Sequence, residues 1–205
     1  SIRSEQQRFP EAEALLREAL AIRRDVFGPD HVTAVATLHD MVQVERLRGR
    51  PAAAESLVVE ARAILDRLPD TGGDLPASNA FLHAMTLQDR GHHAEAEPHF
   101  RREIALQEAR HRGPHGDVAL AQSNLVTNLF RQGRKDEAAD LQVAAIAMLR
   151  ELGERGTTLA TALGNAAFML DDAGRHAEAE AYHLQYLELT AEIYAEEKPD
   201  RTGGR

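Results

Sequence analysis

The residues of this 205-residue chain that could do chemistry are ten histidines and a large set of carboxylates, with no cysteine among them. Imidazole and carboxylate together could hold a divalent metal or shuttle a proton. Spacing decides whether they do. His92 and His99 are seven residues apart, as are His176 and His183. That is two helical turns, too far for shared coordination unless neighbours help. Neither pair has the i, i+4 spacing with an intervening Glu that zinc proteases use. Asp171 and Asp172 are adjacent and diverge around a helix, which is poor geometry for shared acid–base work. The chain holds no G-x-S-x-G, no Gly-rich phosphate loop and no kinase signature. The histidines therefore read as solvated or turn residues. The expectation is a non-enzyme with no catalytic residues, no metal site and no cofactor.

The elements that carry these residues follow from composition. Aromatic residues are only 4% of the chain, and much of its 43% apolar content is alanine, which favours helix but buries little area per residue. The core should then be many thin helix contacts. A formal charge of −9 with interleaved signs lacks the basic stripe that a nucleic acid or an anionic membrane requires. The longest weakly polar run, residues 159–170, is too short to cross a bilayer. Absence of cysteine is compatible with a reducing compartment, and no signal peptide opens the chain, so a cytoplasmic protein is expected. The lack of an initiator Met reads as an excised fragment.

Self-similarity organises the rest. Five phrases align on Ala12, Ala54, Ala96, Ala138 and Ala179, at intervals of 42, 42, 42 and 41. Five residues before the alanine stand Gly49, Gly91, Gly133 and Gly174, with Gln7 in the first copy. Glycine there suits a helix C-cap, so each unit is helix, Gly turn, helix, and the small alanine lets two helices approach closely. Positions 3, 7, 10 and 14 after the alanine form an apolar stripe: Leu15, Ala19, Ile22, Val26 in the first copy and Leu57, Ala61, Ile64, Leu68 in the second. The middle copy departs with His99, Glu103, Leu106 and Arg110, its apolar content shifting to Phe100 and Ile104, so its helix is expected to be rotated or packed less well. His31 and His115, 84 residues apart, both fall at the entry to a first helix, where Asp30 is expected to cap the first of them.

The phrase "FPEAEALLREALAIRRDVFGPDH", followed by a helix and a "GR…AEAE" restart, resembles the long tetratricopeptide repeats of the kinesin light chain type. HEAT or armadillo units have a similar period but do not explain the Gly-x4-Ala spacing. The resemblance implies an all-α, right-handed α-solenoid of antiparallel helix pairs. It would form one tetratricopeptide domain over residues 1–205: a half repeat at 1–28, pairs at 29–69, 70–112, 113–153 and 154–197, and a disordered tail at 198–205. The first helix lacks its partner, so self-association or missing repeats are expected at that end.

By the same resemblance, groove-facing positions lie 13, 10, 9, 6, 3 and 2 residues before each turn glycine. They place His39, Asp40, Gln43 and Arg46 in the first complete unit, then Phe81, Met85 and Gln88 in the next. Ser123, Asn124, Thr127, Phe130 and Arg131 follow, and Asn165, Phe168 and Asp172 come last. Asn124 and Asn165 share one offset, and an amide can pair with the backbone of an extended peptide whatever its sequence. The phenylalanines read either as pocket walls or as inter-repeat core. The expected function is a scaffold that binds a protein or peptide, not nucleic acid or membrane, along a concave groove. The alternative is a regulatory or sensor module of a larger bacterial signalling protein, a serine/threonine kinase or a signal-transduction ATPase.

Overall fold

A computed structural model describes residues 2–68 and 73–197, so the expected tail and the centre of the "LPDTGGDLPASN" turn lie outside the described residues. Within them the chain is helical throughout: α1 Ile2–Phe27, α2 Val32–Leu47, α3 Pro51–Arg67, α4 Leu75–Asp89, α5 His93–His111, α6 Gly116–Arg131, α7 Lys135–Glu151, α8 Thr157–Asp172 and α9 His176–Glu197. This is the all-α repeat of helix pairs that the period implied. None of the described helices is long and apolar enough to cross a membrane.

The turn glycines explain why the chain reverses where it does. Gly133 has φ +76°, a left-handed conformation that an L side chain adopts only at a cost. With Gly133 there, the Arg134 N–H reaches back to the Leu129 carbonyl at 3.1 Å, closing the end of α6. The same bond recurs at the other three repeat glycines, from Arg50 to Glu45, His92 to Leu87 and Arg175 to Leu170. Each second helix then starts one residue later, and Pro51 opens α3 where its missing N–H costs nothing.

The described residues fall into two compact units that divide between Arg110 and His111, and each gathers its own helices. In the first, α1, α2 and α3 bury Leu20, Val35, Leu38 and Ile64 together, and Val42, Ala54, Val58 and Leu82 join α2, α3 and α4. In the second, Ile146, Leu149, Leu159 and Leu163 meet under Tyr182, Tyr186 and Leu189 of α9. Ala54, Ala96, Ala138 and Ala179 are all fully buried, as close helix approach demands.

Three expectations change. Asp30 does not cap α2; the Nδ1 of His31 does, accepting from the Thr33 amide at 3.3 Å. The Asp30 carboxylate instead accepts two bonds from Arg67, a stronger charge-assisted arrangement. The stripe on α1 is not buried: Leu15, Ile22 and Val26 are exposed, while Leu16 and Leu20, one position on, meet α2. The equivalent stripe on α3 packs on α2, the first helix of its own pair. Finally, Phe100 is fully buried as its apolar character suggests, but without a rotation of α5, since Val58 and Gln142 at the equivalent position are buried too. His99 stays against His83 of α4, with ring centroids 3.9 Å apart, and Glu103 is buried.

Candidate binding site

The second unit contains an open cleft of about 510 Å³ between α6 and α8, with Gln142 and Leu149 of α7 in its lining. Ser123 and Thr127 line it from α6, and Thr157, Thr161 and Asn165 from α8. These residues share the cleft because each helix presents one side chain per turn to it, at i, i+4 and i+8.

The hydroxyls have a defined polarity. Ser123 Oγ donates to the Ala119 carbonyl at 3.0 Å, Thr127 Oγ1 to Ser123 at 3.1 Å and Thr161 Oγ1 to Thr157 at 2.8 Å. Their protons are committed to their own helices, so the oxygen lone pairs are what remain for a ligand. Asn165 supplies the complement, for its exposed amide has no hydrogen-bond partner among the described residues. Gln142 is buried and donates from Nε2 to the Ala162 carbonyl at 3.0 Å, tying α7 to α8 beneath the opening. The lining therefore offers several acceptors and one amide that can both donate and accept. One turn beyond Thr127 and Asn165, Phe130 and Phe168 pair with ring centroids 5.8 Å apart and planes tilted by 50°. Phe168 is 58% exposed, so this pair adds an accessible apolar surface next to the polar cleft.

The structure thus brings Ser123, Thr127 and Asn165 together in one cleft and sets Phe130 and Phe168 beside it. Asn124 is half-buried and does not line the cleft, although its offset matches that of Asn165. Arg131 is exposed, and Asp172 pairs with Lys135 at 2.9 Å.

In the first unit the proposed groove residues separate. His39 is buried and shares a hydrogen bond with Asn79 at 3.0 Å, and its burial lowers the ring's proton affinity. Gln88 is buried as well, and Phe81 packs against the Val42, Ala54 and Val58 cluster. Arg46 is held by Asp89 at 2.7 Å and by Gln43 at 3.0 Å. Asp40 and Gln43 are exposed, and Met85 is half-buried.

Residues that sequence reasoning did not single out complete the cleft. Thr157 and Thr158 lie beyond the earliest groove offset, and Gln142 sits on a second helix, outside the groove-facing offsets altogether. The "TTLAT" start of α8 was the available signal. The distant histidine pairs resolve differently from each other. His92 pairs with Glu95 while His99 faces His83. His176 and His183 both bond Asp171, at 3.1 and 3.2 Å, and those bonds hold its carboxyl below the ordinary aspartate range.

A family model described as tetratricopeptide repeat matches residues 1–67, 76–151 and 117–192. Among solved structures the chain is similar to a putative kinesin light chain with nearly identical TPR-like repeats from Podospora anserina. That match has 18% identity, covers 93% of this chain and 91% of the other, and has a TM-score of 0.79. BtubC (BKLC) from P. vanneervenii is similar at 20% identity, 99% and 81% coverage, and a TM-score of 0.83. A Rap protein complexed with Competence and Sporulation Factor is similar at 14% identity, 93% and 52% coverage, and a TM-score of 0.62. No match is found among curated proteins.

Proposed function

The chain belongs to the tetratricopeptide repeat family, and on that footing we propose that it binds an extended peptide segment of a protein partner in the cleft between α6 and α8. Tetratricopeptide repeats are protein-interaction scaffolds, and the repeat architecture alone does not select a ligand. One observation carries the choice of a peptide: an unpartnered Asn165 amide faces a row of hydroxyls whose free capacity is to accept. An extended peptide presents alternating N–H and C=O groups, which this set can receive without reading side chains. Phe130 and Phe168 would take an apolar peptide side chain one turn further along. The similar fold of a Rap protein complexed with Competence and Sporulation Factor supports the reading of a partner-binding scaffold.

The test is selection of peptides from a random display library, followed by fluorescence anisotropy on the best binder. Asn165→Ala should weaken that peptide about ten-fold or more, the worth of one or two hydrogen bonds in a partly dry cleft. Thr161→Arg should block it. A selected peptide that binds both variants as tightly as the parent chain would place the site elsewhere.

A further inference from the structure

The turn after α5 gathers three potential metal donors within residues 111–117 of the second unit. His111 Nε2 lies 3.1 Å from Asp117 Oδ2, and His115 Nδ1 lies 3.4 Å from the same oxygen. All three donor atoms fall within 4.8 Å of one another. Ligands around a tetrahedral zinc, at bonds of about 2.05 Å, sit about 3.3 Å apart, so two of the three donor separations already match a coordination shell. Two imidazoles and a carboxylate suit a borderline divalent ion, and a water would take the fourth position.

The first copy of the repeat provides an internal control. His31 corresponds to His115 at the 84-residue offset, and both use Nδ1 to cap a helix, accepting from Thr33 N and Asp117 N. In that copy the ring stacked on the capping histidine is Phe27, with centroids 4.8 Å apart, and the next side chain over is Thr33. In the later copy those two places hold His111, stacked at 3.4 Å, and Asp117. Stacking and capping need neither change, since Phe27 and Thr33 accomplish both. The two replacements around the shared histidine are the ones that turn a cap into a three-donor set.

We propose that His111, His115 and Asp117 bind one divalent transition-metal ion, with zinc the ion that the donors fit best. The side chains of His115 and Asp117 are about half exposed, at 45% and 48%, so an ion has a path to the site. On binding, the stacked rings, 7° from parallel, fan open so that their lone pairs converge. The ion takes the Nδ1 lone pair that the Asp117 amide now uses, replacing one weak cap bond with a coordinate bond. The result is a staple across Arg112, Gly113 and Pro114, a turn in which Arg112 holds φ +56°.

Zinc sulfate titrated into the full chain against a chromophoric chelator tests this. One equivalent should bind at micromolar zinc, and cobalt(II) in its place should show the intense visible absorption of a tetrahedral site. His111→Phe and Asp117→Thr copy the first repeat and should keep the metal-free helicity and melting midpoint while weakening zinc about ten-fold or more. Asp117→Asn, which retains shape and polarity, should weaken zinc similarly. The proposal is overturned if the unmodified chain takes up no zinc, if its cobalt form lacks that absorption, or if a folded variant binds zinc as tightly as the parent.

Discussion

Acidification should weaken the first unit through His99, and the structure sets the size and direction of the effect. The ring is packed against His83 of α4, with Arg62 of α3 and Arg102 of its own helix adding positive charge nearby. Burial first, then the neighbouring His83, Arg102 and Arg62, push its pKa from 6.5 to about 4. Burial lowers His83 too, partly opposed by Glu55 of α3. Because the folded pKa is depressed for a base, the folded state is most stable above 6.5. That stability is lost as pH falls from 6.5 toward 4, where the unfolded chain alone takes up the proton. At about 1.36 kcal/mol per pH unit the full window is worth about 3.4 kcal/mol, and solvent screening of a half-buried ring reduces this to about 1–2 kcal/mol. Leucine occupies the same stripe position in three other copies, as Leu15, Leu57 and Leu141, so His99→Leu is the informative replacement. Urea unfolding followed by circular dichroism at about pH 7 and pH 4.5 should show the parent losing about 1–2 kcal/mol more than the variant. The variant should keep the slope due to the other groups shifted by folding, His83 and His39 among them. Equal losses in the two proteins would show that burial of His99 is not the source.

Two glycines should respond to the same substitution with opposite signs. Gly164 lies inside α8, and a Cβ there would meet the Tyr186 ring at 3.5 Å, an ordinary contact. Gly164→Ala should therefore stabilise by about 0.5–1 kcal/mol from helix propensity, and a lowered thermal midpoint would contradict it. Gly133→Ala meets no atom within 4 Å but must hold φ +76°; it should destabilise by about 1 kcal/mol or more, and an unchanged midpoint would remove the conformational account of the turn.

Much of the architecture was legible because it depends on local, repeated chemistry. A glycine at a fixed offset marks a left-handed cap wherever it occurs, and an alanine five residues on marks a close helix contact. Both hold at Gly49, Gly91, Gly133 and Gly174. The apolar stripe transferred less well, because its burial depends on a neighbour: on α3 it is covered by α2, and on α1 Leu15, Ile22 and Val26 at the same positions are exposed. The candidate cleft was partly legible. Offsets located Ser123, Thr127 and Asn165 on one face, but the same offsets also selected His39 and Gln88, which are buried.

The amino-acid order by itself determined the helices, their turns and the tetratricopeptide repeat, since caps and period act within a few residues of one another. Only tertiary packing decided which polar atoms were left with capacity to spare. Asn124 and Asn165 are equivalent by position, yet one is half-buried and the other lines an open cleft. His111 becomes a potential ligand only because the turn folds it onto His115. Accessibility and donor convergence are properties of how neighbouring segments meet, and a one-dimensional pattern does not encode the distance between them.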